Sequence, residues 1–404
     1  MLLPEEFPYI SSIFVKDCFA YQNFNIELKG HQPFSHLILT GKNGSGKSTI
    51  LRNLNLKIQS IYDNSGENFE NDFLNRITLL DKNGSQNKDY KDIINNLLAL
   101  NIQYFQSPKT FNKYKNQIIN SYLLPYRNSK VTIVETPTNQ DVFQKQLEEN
   151  NNSSEFITKH FTQFLVNKKV NQAFAQIENN TSEISNIDYF FNQLENVFKQ
   201  IFEDSALKLL FIKESYQFII SLSEGRKVTF DLLPDGFSAF LSIIMDLFVR
   251  QDLIRKEVKD FTYNPCGIVL IDEPETHLHL SLQYQVLPIL TTLFPNIQFV
   301  VATHSPAVIS SIKNVTVFDI TSKESLSDEA VGKSFSELMV SHFGLDNEFS
   351  GITDKLFEEA NNIIRKNNNN QAQLNDEIKK FIAKNELYIS PAMRFELEAK
   401  LFDI

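Results

Sequence analysis

Short apolar runs and longer stretches of helical spacing alternate along the chain. The runs His36–Thr40, Gly267–Ile271 and Gln298–Ala302 are continuous and apolar, as is typical of parallel strands buried on both faces. Between the last two runs, Leu282–Phe294 has helical spacing, which predicts a β-α-β unit whose strand ends meet at one edge of a sheet. Apolar residues also recur at helical spacing after the first run, at Ile50, Leu54, Ile58 and Ile61.

Other segments predict antiparallel strands. Strand-like runs occur at 13–15, 24–28, 207–212, 216–222 and 227–230, and the last two are joined by the turn-like sequence SEGR. Ser121–Pro137 predicts a strand, a loop containing Tyr126 and Arg127, and a second strand. Residues 63–90 are rich in Asn, Asp, Gly and Ser, which predicts a surface excursion.

Helical patterns dominate three further regions. From about 140 to 202, apolar residues fall on single helix faces, which predicts a helical insertion in the surrounding domain. Apolar offsets that begin at Phe237 predict an amphipathic helix starting at Gly236, with Asp235 as its N-cap. The region from about 334 to 404 predicts helices.

Composition narrows the class of protein. The 404 residues are 42% hydrophobic and 22% charged, as in ordinary soluble globular proteins. The formal net charge of −10 disfavours a globally basic nucleic-acid binder, although a local basic groove stays open. Two distant cysteines, Cys18 and Cys266, suit a reducing cytosol, and the sequence predicts neither a signal peptide nor a membrane span. We therefore expect a cytoplasmic protein.

A phosphate-binding loop follows the first apolar run. Gly41–Ser48 reads GKNGSGKS and fits the pattern G-x-x-x-x-G-K-[ST]. Glycines let successive backbone N–H groups turn toward a phosphate, and the helix that follows presents its positive end to the same ligand. The sequence therefore predicts that ATP binds here, with Lys47 on the β- and γ-phosphates and Ser48 on Mg²⁺. The predicted nucleotide-binding residues of this loop are Gly41, Asn43, Gly44, Ser45, Gly46, Lys47, Ser48 and Thr49.

Acidic and basic side chains follow the two later apolar runs. Asp272 and Glu273 end GIVLIDE, and His304 follows the next run in ATHS. An aspartate at a buried strand end can hold Mg²⁺ beside Ser48, and the adjacent glutamate can polarise the attacking water. A histidine at the same edge can donate to the γ-phosphate. We predict Asp272 as a metal ligand and Glu273 and His304 as catalytic residues.

In this order, GKNGSGKST, LPDGF, LIDEPETHLH and VVATHSP resemble the ABC-type ATPase heads of the SMC and RecF class. More narrowly, the chain is similar to the AAA-like ATPases of OLD-family nucleases and of Septu- and PARIS-type phage-defence systems. The resemblance implies an α/β P-loop head with a central, mostly parallel sheet, an antiparallel β part, a helical insertion and a helical tail. It divides the chain into the N-terminal part of the head (1–139), the insertion (140–205), the C-terminal part of the head (206–330) and the tail (331–404).

The resemblance also implies that two heads enclose two ATP molecules, in a homodimer or a higher homo-oligomer. The N-terminus of the helix at Gly236 would then meet the γ-phosphate bound at Lys47 of the other subunit. The chain departs from the family pattern where Pro234 replaces the usual serine and Asp235 stands next to it. Because proline cannot donate a hydrogen bond and a carboxylate repels phosphate, we expect slow hydrolysis. No magnesium-sensing glutamine is assignable; Arg127 lies in a comparable place and could contact phosphate or be a surface arginine.

These features bear on three functions. The first is an ATPase that regulates a separate effector, such as a nuclease or toxin, in a phage-defence complex; it is favoured because the helices after His304 lack the carboxylate cluster of an OLD nuclease. The second is a RecF-like ATPase that binds DNA directly, for which Lys168 and Lys169 are a modest basic cluster or merely a solvated face. The third, a transporter ATPase, is disfavoured by the segment DEPETHLH and by the insertion.

Overall fold

A computed structural model of the protein describes residues 1–29, 33–63, 95–96, 98–125, 131–150, 153–326, 351–366, 371–386, 388–389, 391, 394–395 and 397. The fold has two compact units, Met1–Phe335 and Ser336–Ile404. Within the described ranges, no helix combines the length and the apolar character needed to cross a membrane.

Twelve strands are described in the larger unit. They are β1 (Ile10–Asp17), β2 (Gln22–Glu27), β3 (His36–Thr40), β4 (Leu100–Tyr104), β5 (Ile118–Leu123), β6 (Lys208–Ile212), β7 (Gln217–Ser221), β8 (Lys227–Thr229), β9 (Cys266–Asp272), β10 (Ile297–Ala302), β11 (Val315–Asp319) and β12 (Glu324–Leu326).

The described α-helices of this unit pack around these strands. They are α1 (Lys47–Asp63), α2 (Lys109–Lys113), α3 (Gln140–Glu149), α4 (Ser154–Lys159), α5 (Phe161–Ile177), α6 (Thr181–Ile201), α7 (Asp235–Val258), α8 (Leu280–Gln283), α9 (Val286–Leu293) and α10 (Pro306–Ile309). Short 3-10 helices occur at Pro4–Glu6, Lys115–Gln117 and Phe230–Leu232.

The central sheet has six strands in the order β12-β11-β3-β10-β9-β5, and its pairs are parallel except for β11 with β12. Strands β3, β9, β10 and β11 are buried along their whole length, which explains their continuous apolar sequences. Two three-stranded antiparallel sheets, β2-β1-β4 and β6-β7-β8, accompany it. The predicted α/β fold with a mostly parallel central sheet and an antiparallel part is confirmed.

Strand register brings three carboxyl ends to one edge of the central sheet. Ala302 of β10 is the register partner of Leu39 in β3 and of Asp272 in β9. Hydrogen bonds continue just past the strands, because the Glu273 N–H donates to the Ala302 carbonyl at 2.9 Å and the Thr303 N–H donates to the Leu39 carbonyl at 3.1 Å. The residues that follow β3, β9 and β10 are therefore neighbours.

Two local expectations were wrong. Residues 131–137 form no strand; Thr132 instead donates its N–H to the Lys159 carbonyl, so this segment bonds to the end of α4. The helix expected over 282–294 is two helices, α8 and α9. Pro288 lies in the first turn of α9, where its missing N–H costs no helical hydrogen bond, so the helix begins anew just before it. The expected excursion at 63–90 lies outside the described residues except for Asp63, the last residue of α1.

Helices α5 and α6 pack on α7 through aromatic rings and one buried ion pair. The ring of Phe190 in α6 lies 5.8 Å, centroid to centroid, from both Phe164 in α5 and Phe248 in α7. Lys168 Nζ lies 2.7 Å from Asp252 Oδ1, with side chains 7% and 6% exposed, and 4.6 Å from the Phe190 centroid. Lys169 is half-buried over the Phe191 ring. These lysines are internal contacts, so the interpretation as a solvated face was wrong.

Lys168→Ala should destabilise the protein strongly, because it leaves the Asp252 carboxylate buried without its cation. Breaking such a pair costs about 3–5 kcal/mol, and we expect a loss of that order in the free energy of unfolding measured in urea. Lys145→Ala is the matched control, since the Lys145–Glu149 pair is 78% and 60% exposed; its cost should be below about 1 kcal/mol. Equal unfolding midpoints for the two variants would contradict this assignment.

The smaller unit contains helices α11 (Gly351–Lys366) and α12 (Gln371–Lys384). Their apolar faces form a core of their own. The buried members of that core are Leu356, Ala360, Leu374, Ile378, Phe381, Ile382 and Leu397.

Candidate functional site

The phosphate loop joins β3 to α1, and the helix begins at Lys47. Lys42, Asn43, Gly44 and Ser48 are exposed, whereas Gly41, Ser45 and Lys47 are buried. Gly46 has a φ of 99°, and a Cβ there would lie 2.1 Å from the Cys18 carbonyl oxygen. Both the conformation and the approach of the β1 end require glycine. Thr49 follows in the first turn of α1.

Lys47 occupies the centre of the loop. Its Nζ donates to the carbonyls of Gly41 at 2.9 Å and Lys42 at 3.2 Å. Burial lowers the pKa of Lys47, and the nearby carboxylates, first among them those of Glu273 and Asp272, oppose that shift. The ammonium therefore lies close to the acidic end of β9, and it holds the loop in shape through the two carbonyls that it binds.

The end of β11 supports the loop from the other side. The Lys42 N–H donates to Thr321 Oγ1 at 2.9 Å, and the Thr321 N–H donates to Asp319 Oδ1 at 2.7 Å. These residues were missed by sequence reasoning. A signal was present, because VTVFD is an apolar run that ends in aspartate just as CGIVLID does.

Asp272 and Glu273 stand at the carboxyl end of β9, as predicted. Asp272 is 2% exposed and ends the strand. Glu273 has a φ of 47°, a conformation that costs energy for a residue with a side chain and that clusters at functional sites. The chain turns immediately after the two carboxylates, where the Thr276 N–H donates to the Glu273 carbonyl at 3.3 Å.

His304 lies at the same edge. Burial lowers the pKa of His304, the ammonium of Lys47 lowers it further, and the carboxylate of Glu273 opposes both. The shift favours the neutral imidazole, and strand register places His304 at the same sheet edge as Glu273. The structure thus brings Lys47, Glu273 and His304 together, as the strand pattern predicted; their roles stay predictions.

The helix at Gly236 differs slightly from the expectation. Helix α7 begins at Asp235 with Pro234 in the N-cap position, so Asp235 is not the N-cap. Gly236 is buried, and a Cβ there would lie 2.2 Å from the His277 carbonyl oxygen. Packing against the loop after β9 is therefore sufficient reason for glycine at this position. A role of Gly236 toward a nucleotide on a second subunit stays a prediction.

Two further groups of side chains were considered as ligands of phosphate or metal from the sequence. Arg127, with Tyr126, lies outside the described residues. His277 and His279 are exposed, and over the described ranges no three His, Cys, Asp or Glu side chains cluster to hold a metal ion.

The residues at this edge fit ATP and Mg²⁺. Ser48 and Asp272 offer a hydroxyl and a carboxylate, the oxygen ligands that Mg²⁺ prefers, and Mg²⁺ usually takes few protein ligands beside phosphate and water. Ser45 Oγ is buried and has no hydrogen-bond partner within the described part of the chain, which leaves it able to bind a ligand oxygen. The N-terminus of α1 and Lys47 add positive charge for the phosphates.

Comparison with known proteins agrees with this geometry. Residues 37–310 match the family described as "AAA domain, putative AbiEii toxin, Type IV TA system". The chain is 24% identical to the "Retron Vc95 probable ATPase" of Vibrio cholerae serotype O1 biovar El Tor over 366 residues, 71% of each chain. It is 27% identical to the "Septu protein PtuA" of Bacillus thuringiensis over 135 residues, 30% of this chain and 33% of that protein.

Among solved structures, the chain resembles an Smc head domain from Pyrococcus furiosus, with 16% identity and a TM-score of 0.36; the match covers 82% of this chain and 100% of the other. The family match and the Septu relative confirm the resemblance to AAA-like ATPases that the motifs indicated.

Proposed function

Because this chain belongs to the family of AAA domains that matches residues 37–310, we propose that it is the ATPase subunit of an anti-phage defence complex. In this proposal it binds ATP with Mg²⁺ in the cytoplasm, pairs with a second copy around the nucleotide, hydrolyses ATP slowly and controls a separate effector protein. Similarity to a retron ATPase and to a Septu protein supports the biological setting.

One observation carries the proposal: the residues that follow β3, β9 and β10, among them the loop of Lys47, Glu273 and His304, lie at one edge of the central sheet. A cation, a base and a neutral hydrogen-bond donor are the groups that phosphoryl transfer to water needs. Lys47 would hold the β- and γ-phosphates, while Ser48 and Asp272 would hold Mg²⁺. Glu273 would accept a proton from the attacking water, and His304 would donate to the γ-phosphate.

The N-terminus of α7 bears on the rate of ATP hydrolysis. A helix N-terminus favours an anion, but Pro234 in the N-cap position of α7 has no N–H to add. If a second subunit presents this terminus to the γ-phosphate, one donor fewer stabilises the transition state than in a head with serine at this position. ATP would then act mainly as a clamp between subunits.

The test is whether nucleotide changes the assembly. We expect the purified chain, of 46.6 kDa, to sediment at twice that mass or more with ATP and Mg²⁺, and as a smaller species without nucleotide. Expression from its native operon should recover a second protein in fixed ratio. A sedimentation pattern that ignores ATP, or a lone chain that cleaves nucleic acid by itself, would contradict the proposal.

A further inference from the structure

Glu275 connects the loop after β9 to the chain that follows β10. Its Oε1 accepts hydrogen bonds from the Thr303 hydroxyl and, at 3.0 Å, from the His304 backbone N–H. Thr303 in turn receives the Ser305 N–H on the same hydroxyl oxygen at 2.9 Å. A single carboxylate oxygen therefore binds the backbone at His304 directly and the backbone at Ser305 through the Thr303 hydroxyl.

Gln283 makes a second connection between the same two segments. Its Nε2 donates to the Leu278 carbonyl at 2.9 Å, and its Oε1 accepts from the Ser305 hydroxyl at 2.6 Å. The segment 303–305 is thus attached at both ends to residues 275–283, which comprise the loop after β9 and helix α8. Neither connection uses the imidazole of His304; they bind the Thr303 hydroxyl, the His304 backbone N–H and the Ser305 hydroxyl.

We propose that Glu275 is a positioning residue for His304, because its Oε1 fixes the backbone from which the imidazole projects. This inference rests on the proposed function, in which His304 donates to the γ-phosphate. A shift of about 1 Å in a catalytic group can cost on the order of a hundredfold in rate, so the support of this backbone matters for hydrolysis. Glu275 itself touches neither ATP nor the attacking water in this proposal.

The role requires the acceptor oxygen and not the negative charge. Burial raises the pKa of Glu275, the hydrogen bonds from Thr303 and His304 oppose that shift, and the carboxylate of Glu273 adds to it. Its second oxygen, Oε2, is buried without a hydrogen-bond partner among the residues that the structure describes. Glu275→Gln would keep an acceptor oxygen at the position of Oε1. Glu275→Asp would keep the negative charge, but its side chain is one methylene shorter and its oxygens would not reach that position.

The experiment compares Glu275→Gln, Glu275→Asp and Glu275→Ala in the parent chain and in a His304→Ala background. We expect Glu275→Ala and Glu275→Asp to lower kcat about tenfold with less than about a threefold change in the ATP dissociation constant, and Glu275→Gln to recover most of that loss. In the His304→Ala background, Glu275→Ala should add no further loss, because coupled residues are not additive. Equal losses in both backgrounds, or rescue by Asp and not by Gln, would overturn the proposal.

A second readout does not depend on ATP. In hydrogen–deuterium exchange, Glu275→Ala and Glu275→Asp should speed exchange of the His304 amide, while Glu275→Gln protects it and the amides of α1 are unchanged in all three. Unchanged exchange at His304 in both the Ala and Asp variants would refute the positioning role. If exchange responds but the parent chain shows no ATP hydrolysis dependent on Lys47, the proposed function fails and the contact assigned to Glu275 stands.

Discussion

Lys47→Ala should abolish nucleotide binding, the largest effect that we expect from any single substitution at the site. The ammonium is buried and acted on by the carboxylates of Glu273 and Asp272, so its removal leaves the triphosphate facing negative charge without the cation of this loop. Charge-assisted hydrogen bonds contribute about 1.5–3 kcal/mol each. Losing those that the Lys47 ammonium would donate to the phosphates should weaken ATP binding by at least about a hundredfold. Calorimetric titration with ATP and Mg²⁺ measures this directly.

Lys313→Ala is the matched control for this substitution. Lys313 is exposed and lies before the start of β11, at the opposite edge of the sheet. The dissociation constant of Lys313→Ala for ATP should stay within about twofold of the parent value, because a screened surface charge at that distance acts weakly on the nucleotide. Since Lys47 also binds the Gly41 and Lys42 carbonyls, the thermal unfolding of Lys47→Ala must be measured too. A folded Lys47→Ala that binds ATP like the parent would refute the phosphate site.

Glu273→Gln should separate ATP binding from hydrolysis. Glutamine has almost the same shape as glutamate and should adopt the same backbone at this position, but its amide cannot accept a proton from water. A positioned general base contributes roughly 10²–10⁴-fold, so kcat for phosphate release should fall by about that factor while ATP affinity changes little. The ATP-bound assembly should also persist longer, which sedimentation in the presence of ATP would show.

Glu224→Gln provides the comparison, because Glu224 is exposed in the turn between β7 and β8, outside the central sheet, and pairs with Arg226. The kcat of Glu224→Gln should match that of the parent. Hydrolysis by Glu273→Gln at the parent rate would show that another group accepts the proton, and the assignment of Glu273 would be wrong.

Much of the fold and of the candidate site was accessible from local pattern. Burial on both faces imposes a continuous apolar sequence on β3, β9 and β10, and this is why their positions could be predicted. The second strand expected within Ser121–Pro137 shows where pattern misleads, because the described residues 131–137 form no strand. Its apolar residues satisfied the period of a strand, but the backbone at Thr132 found its partner at the end of α4.

The contacts that complete the site join residues far apart in the chain. Lys42 and Thr321 are 279 positions apart, and Glu275 and His304 are 29 apart, yet each pair shares a hydrogen bond. Lys168 was expected to lie on a surface, and its burial against Asp252 depends on how α5 packs on α7. The hydrophobic periodicity around each of these residues does not indicate which distant residue it contacts.

The chain by itself determined where a phosphate loop turns and which strands end in a carboxylate or a histidine, because these features arise from neighbouring residues and from burial. Tertiary structure decided the rest: that β11 supports the loop, that Gly236 packs against His277, and that Glu275 holds the backbone of His304. The physical reason is that these contacts depend on strand order and helix docking, which set distances between residues that local sequence does not relate.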